Sequence, residues 1–267
     1  MDLSTLIFGV IELSKKVGEF IRQESLIFDS AHIEYKGLHD MVSYVDKTAE
    51  EMLVKGLSDL LPEAGFITEE ETITKQSDLY SWIIDPLDGT TNFIHGIPTY
   101  SISIALQYQS DLILGVVYEI NRDECFYAWQ DGGAFLNGKP ISVSIAPKLE
   151  NTLLATGFPF YDFEKQDAYL EVFKEVMRKC HGIRRIGSAA IDLAYVAAGR
   201  FDAYFEYNLN AWDIAAGIVL VREAGGQVYD FAGGNEMIPK REVLATNGKL
   251  TGEMLEIISR HFKRETT

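Results

Sequence analysis

Apolar residues near the start of the chain recur every three or four positions. Leu3, Leu6, Ile7, Val10, Ile11, Leu13, Val17, Phe20 and Ile21 form one stripe, with Glu12, Lys15, Lys16 and Glu19 around it. That spacing predicts a long amphipathic helix. A second helix is expected from about Lys47 to Leu61, capped by Asp46, with Leu53, Leu57 and Leu60 on its buried side and Pro62 ending it. Short β-like pieces lie between the two helices. From Trp82 to Val143 the period changes to two: Ile102, Ile104, Leu106 and Tyr108 alternate with small or polar residues, and residues 112–118 and 125–129 follow at hairpin spacing. Asn137-Gly138, between Phe135-Leu136 and Ile141, is a tight-turn signal. This half reads as helices on an antiparallel sheet.

Beyond Glu150 strands alternate with helices. Residues 153–156 read as a short strand, and Leu170, Phe173, Val176 and Met177 stripe a helix. Ser188 can cap another helix that ends at Gly199, and a strand follows at 201–206. Trp212-Asp213 opens a helix that stops at Gly225-Gly226; strands at 227–230 and 242–246 and a final helix complete the chain. No Pro/Gly/Ser-rich linker or repeat divides the sequence. One compact unit over 1–267 is therefore expected, with an N-terminal half (1–149) and a C-terminal half (150–267) carrying a smaller mixed sheet.

Composition narrows the function. The 267 residues are 47% hydrophobic and 24% charged, as expected of a globular chain with a large core. A net charge of −16 argues against a nucleic-acid footprint, which needs clustered Lys and Arg, but permits a phosphorylated small molecule if metal ions reverse the local field. Met1-Asp2-Leu3-Ser4 lacks a basic leader region and no apolar run reaches membrane-span length, so a cytoplasmic protein without a membrane partner is expected. Cys125 and Cys180 form no paired motif and read as buried reduced thiols, and His32, His39, His95, His181 and His261 show no ligand spacing. Ser101, Ser103 and Ser188 lack the glycine-flanked elbow of a hydrolase nucleophile.

Candidate chemistry concentrates at acids that end β-like segments. Trp82-Ile83-Ile84 runs into Asp85, where Pro86 should end the ladder. Asp88 follows, and Gly89 frees the backbone just where Thr90 can open a short helix. Two close carboxylates need a proton or a cation between them, while N–H groups at a helix start attract phosphate. The combination points to magnesium and a phosphate ester. Glu69-Glu70 after Phe66-Ile67-Thr68, Glu206 after Tyr204-Phe205, and Asp213 after Trp212 are similarly placed. Singly, an acid at a strand end is usually a solvated charge and an Asp at a helix start is usually a cap.

Together they resemble the inositol monophosphatase family, in Glu69-Glu70, in Asp85-Pro86-Leu87-Asp88-Gly89-Thr90-Thr91-Asn92-Phe93, in Gly187-Ser188-Ala189-Ala190, and in Trp212-Asp213 with Glu206 upstream. The resemblance spans nearly the whole chain. It implies a layered α-β-α-β-α sandwich of the sugar-phosphatase kind, an α+β fold, and a homodimer. It further implies that Glu69, Asp85 and the Leu87 carbonyl hold one magnesium and that Asp85, Asp88 and Asp213 hold a second, with a third ion in some members. Thr90, aided by Glu69, would orient the attacking water; Asp88 would be indispensable to turnover. Gly89 and Thr90 would cradle phosphate, and Gly187, Ser188, Ala189, Glu206 and Asp213 would meet the polyol. Lys36, Asp40 and Asp46 resemble the family's mobile-loop pattern, with Ser43 where Thr is usual; Thr68 stands where Gly is frequent. The implied activity is lithium-sensitive, magnesium-dependent hydrolysis of myo-inositol monophosphate. The same chemistry on fructose 1,6-bisphosphate or histidinol phosphate, and a binding role in RNA processing or transcription, are the alternatives.

Overall fold

The computed structural model describes residues 2–28, 33–35, 41–159 and 163–262. Lys36 and Asp40, two of the loop residues singled out above, lie outside the described residues. The N-terminal half runs α1 (Leu3–Ser25), β1 (Ile33–Tyr35), β2 (Met41–Ser43), α2 (Tyr44–Leu60), β3 (Gly65–Thr68), β4 (Tyr80–Asp88), α3 (Thr90–Ile94), β5 (Ser101–Tyr108), β6 (Asp111–Glu119), β7 (Glu124–Trp129), β8 (Gly133–Leu136) and β9 (Lys139–Ile141). The C-terminal half follows with β10 (Leu153–Thr156), α4 (Gln166–Met177), β11 (Gly182–Arg184), α5 (Ala189–Ala197), β12 (Ala203–Tyr207), α6 (Ala211–Glu223), β13 (Gln227–Tyr229), α7 (Met237–Lys240), β14 (Glu242–Thr246) and α8 (Thr251–His261).

Strands β3 to β9 form a seven-stranded sheet in sequence order, antiparallel except at its edge, where β3 runs parallel to β4. A five-stranded sheet has the order β11-β10-β12-β14-β13, parallel on the β10 side and antiparallel on the β14 side. Alternation along the strands assigns the layers. Trp82, Ile84, Ile102 and Ile104 pack with Ile7, Val10, Val17, Leu53 and Leu57 of α1 and α2. Ile83, Ala105, Val117 and Phe126 point the other way, onto Ile191, Leu193, Ile218 and Leu220 of α5 and α6. The same two helices touch Tyr204 and Val243 of the smaller sheet, whose far face, with Phe205 and Leu244, is covered by Tyr169, Val172 and Val176 of α4 and Met254, Ile257 and Ile258 of α8. The result is the expected α-β-α-β-α stack. Gly115 allows α6 to lie close on β6, since a Cβ there would stand 2.5 Å from the Ala216 carbonyl oxygen.

Local expectations meet the structure unevenly. Asn137 and Gly138 both adopt positive φ, 48° and 80°, as a two-residue hairpin turn demands. α2 starts three residues early: Ser43 is its cap, and Asp46 closes the capping box from inside by accepting the Ser43 N–H at 2.9 Å. Leu60 is 37% exposed rather than buried. The helix at 166–177 buries Tyr169, Val172 and Val176, while Leu170 and Met177 face solvent. The period was legible there but its phase was not, because an apolar residue is present on each side. Cys125 is buried and Cys180 only partly so. β4 does not end at Asp85; it bulges over Pro86 and Leu87 and pairs again at Asp88↔Ser101. Proline's missing N–H falls in that gap, where no ladder bond is lost. Among the described residues no helix is long and apolar enough to cross a membrane.

Candidate active site

The bulged end of β4, the first turns of α3, α5 and α6, and the end of β12 surround one cavity of about 140 Å³. Gly89 makes the first turn possible: its φ is +102°, and a Cβ would stand 3.2 Å from the carbonyl oxygens of Thr99 and Gly187. Thr90 and Thr91 of α3 then face the cavity beside Glu69 from the end of β3.

Long-range hydrogen bonds hold the acids in place. Asp88 Oδ2 accepts from Ser188 Oγ at 2.6 Å and from the Ala190 N–H at 2.7 Å, which ties β4 to the start of α5. Ser188 also caps α5, as expected, accepting from the Ile191 N–H. Asp213 occupies the third position of α6 and accepts the Asn210 N–H at 2.6 Å. Asp85 Oδ1 accepts the Leu87 N–H at 2.9 Å, and the Leu87 carbonyl accepts from Thr90 Oγ1 at 3.0 Å. The Thr90 hydroxyl also lies 3.0 Å from Asp46 Oδ1. Among the described residues its hydrogen-bond partners are therefore Asp46 and Leu87, while Glu69, expected to aid it in orienting water, lines the same cavity. Glu206 accepts from Tyr204 Oη at 2.5 Å. Gly157 makes room for it, since a Cβ there would overlap the Glu206 carboxylate at 1.9 Å.

Six carboxyl groups meet around this space, and burial pushes every one of them toward its neutral form. Asp88 is raised to about 6 by burial, against the opposing bonds from Ser188, Ala190 and Ala189. Asp213 is raised to about 7 by burial and by the Asp88 charge, and Glu206 to about 8 chiefly by burial. Glu69 and Asp85 are pushed well upward, first by burial and then by neighbouring charge: Asp213, Glu70 and Asp46 act on Glu69, and Glu69, Asp88 and Asp213 on Asp85. Each carboxyl thus favours its neutral form because other acids stand close by. Asp192, on α5, is raised by burial and by Glu206 and Asp88. Among the described residues Arg185 offsets charge at Asp88, Glu206 and Asp192, and Arg241 does so at Asp213.

The fit to a metal rests on this imbalance. Among the described residues no three acidic, His or Cys side chains are closed around one point as a ready-made cage. Glu69, Asp85, Asp88 and Asp213 are nevertheless hard oxygen donors whose mutual repulsion a divalent cation would relieve. The chemistry of these donors suits a hard divalent cation.

Of the positions singled out in the sequence, Glu69, Asp88, Gly89, Thr90, Gly187, Ser188, Ala189, Glu206 and Asp213 line the cavity. Asp85 and Leu87 lie behind it, buried in β4. Asp46 reaches it through Thr90. Sequence reasoning missed Arg185, Asp192, Asn208 and Gly157. The paired arginines before Gly187 offered a signal for Arg185; an acid inside a helix, a lone Asn and a lone Gly offered none.

Two sheets between three helical layers, with an acid-lined cavity at their junction, define an α+β protein of the phosphatase type. The chain belongs to the inositol monophosphatase family, whose model matches residues 2–264. It is 39% identical over 261 residues to the inositol-1-monophosphatase of Mesorhizobium japonicum, covering 97% of this chain and 98% of that protein. It is 42% identical over 256 residues to Nus factor SuhB of Pseudomonas aeruginosa, covering 94% of each. The solved structure of extragenic suppressor protein suhB from Bartonella henselae matches with a TM-score of 0.91 and 38% identity, over 98% of this chain and 99% of that one.

Proposed function

We infer that the protein is a magnesium-dependent phosphomonoesterase acting on a polyol monophosphate, myo-inositol 1-phosphate foremost. The convergence of buried Asp85 and Asp88 with half-buried Glu69 and Asp213 carries this reading, because the fold gains nothing from such repulsion unless a cation is bound. Glu69, Asp85 and the Leu87 carbonyl would hold one ion, and Asp85, Asp88 and Asp213 a second. Bound magnesium would supply positive charge that offsets the negative charge of the phosphate and stabilises the departing alkoxide.

The chain's own groups do the rest. The single Thr90 hydroxyl hydrogen is engaged by Asp46 or by the Leu87 carbonyl, which leaves the oxygen's lone pairs to accept a hydrogen bond from water and orient it toward phosphorus. Backbone N–H groups of Gly89 and Thr90, which line the cavity, would meet phosphate oxygens. Glu206 offers acceptors to ring hydroxyls, and Ser188 and Ala189 border the same space.

The test is phosphate release from inositol 1-phosphate, fructose 1,6-bisphosphate, histidinol phosphate and adenosine 3′,5′-bisphosphate, with magnesium titrated from zero and lithium added at the optimum. Magnesium-dependent preference for inositol 1-phosphate, lost with lithium, is expected. Preference for another ester would keep the metal site and discard the inositol assignment. Turnover by Asp88→Asn equal to that of the native protein would sink the metal assignment.

A second reading, association with transcription complexes, is favoured by the Nus factor name that the Pseudomonas relative carries. Capture of transcription proteins by the inactive Asp88→Asn variant would support it, and their absence from the bound fraction would weigh against it.

A further inference from the structure

Two buried polar atoms at the cavity have no partner among the described residues: Asp192 Oδ1 and Asn208 Nδ2. Both residues line the same cavity as Glu206 and Asp88. Asp192 lies one turn into α5, with its N–H donated to the Ser188 carbonyl at 3.0 Å, and side chains on a helix tilt toward its N-terminus, here toward the cavity. Asn208 follows β12 and holds φ at +67°, a left-handed conformation that Asn tolerates better than most residues. Its carbonyl is fixed by Arg241 Nη2 at 3.3 Å, so the backbone presenting the amide is anchored.

Leaving a buried donor or acceptor unmatched costs about 1–3 kcal/mol, and more for a charged group. Two such atoms, on residues that line one cavity, bring the fold no compensation that the internal hydrogen bonds reveal. A hydroxyl group would satisfy both, since it donates one hydrogen bond and accepts others.

We propose that Asp192 and Asn208 form a specificity-determining pair that reads a hydroxyl of the substrate's organic half, Asp192 Oδ1 accepting from it and Asn208 Nδ2 donating to it. This deepens the reading of the cavity as a polyol-phosphate site and rests on it. Phosphate and metal are bound by other residues, so the pair selects among esters. An ester without the hydroxyl leaves both atoms buried and unmatched, which is the strongest form of rejection a hydrogen-bonding site can exert.

The experiment uses the full chain with magnesium and two substrates: inositol 1-phosphate, and 4-nitrophenyl phosphate, whose organic half carries no hydroxyl. Asp192→Asn keeps the shape and converts an acceptor to a donor. Asn208→Gly removes the amide and suits a positive φ without strain. In each variant the ratio of kcat/KM for the inositol ester to that for the aryl ester is expected to fall at least about tenfold, chiefly through KM. A ratio within twofold of the native one in both variants, whether activities fall together or not at all, overturns the proposal and leaves the two atoms to ordered water. Thermal unfolding of each variant separates misfolding from lost selectivity. A native protein that hydrolyses neither ester defeats the phosphatase reading instead. Saturation-transfer NMR with myo-inositol then decides the pair alone: signal lost in Asn208→Gly supports it, and equal signal in native protein and variant overturns it.

Discussion

Ser188 Oγ donates a 2.6 Å hydrogen bond to Asp88 Oδ2 across a sequence separation of 100 residues, while accepting the Ile191 N–H that caps α5. One hydroxyl thus joins the acid turn of the first half to the central helix of the second.

Removing that hydroxyl takes away a cap and strands a buried carboxylate. Ser188→Ala is expected to lose about 2 kcal/mol of stability and to weaken magnesium binding. Ser188→Thr, which keeps the oxygen, should recover most of both. Urea unfolding and the magnesium dependence of phosphate release measure the two effects.

Glu50, buried in α2, holds the loop that carries Glu69. Its Oε2 accepts the Glu70 N–H at 2.8 Å, and its Oε1 accepts the Thr72 N–H at 2.8 Å and the Thr72 hydroxyl at 2.7 Å. The chain passes between them through Glu71 at φ +54°. Glu50→Gln replaces one acceptor by a donor facing these donors. Magnesium affinity should fall about tenfold to a hundredfold, as when support behind a ligand is lost, while circular dichroism remains native. Unchanged magnesium dependence would show that the loop holds its shape without the clamp.

Gly157 exists to leave room for Glu206. Gly157→Ala should cost little stability, since the clash is with the end of a flexible side chain, but it must displace that carboxylate. The KM for inositol 1-phosphate is expected to rise about tenfold or more, a loss of roughly 1.4 kcal/mol in binding. Steady-state kinetics beside a melting curve checks it.

The acids also dictate a pH dependence. Asp88, Asp213 and Glu206 are raised to about 6, 7 and 8, above ordinary carboxyls, so between pH 4 and these values the folded protein holds protons that the unfolded chain has released. Stability from this source is complete below about pH 4 and is lost as pH rises through 6 to 8. In EDTA the melting temperature should therefore drop between pH 5.5 and pH 9, on the order of 5 °C. Millimolar magnesium should flatten the decline by replacing protons with a cation. A melting temperature that rises with pH in EDTA would contradict the carboxyl cluster as described.

What the chain determines by itself is what neighbours in sequence can enforce. The stripe of α1, the Asn137-Gly138 turn, the Ser188 cap, the strand at 242–246 and the order of the acids all depend on side chains within a few residues of one another, and they were legible. So was the composition of the acid turn, because Gly89 and the carboxylates carry their chemistry wherever they lie. Tertiary structure alone decided which face of α4 is buried, how β4 passes Pro86 by pairing Asp88 with Ser101, and that Thr90 turns to Asp46. It alone brought Glu50 behind the Glu69 loop and set Asp192, Arg185 and Asn208 around Glu206. The physical reason is the same in each case. An isolated polar residue or a doubled apolar face has several local solutions of similar energy, and the choice among them is made by partners distant in sequence that only the packed layers bring within hydrogen-bonding reach.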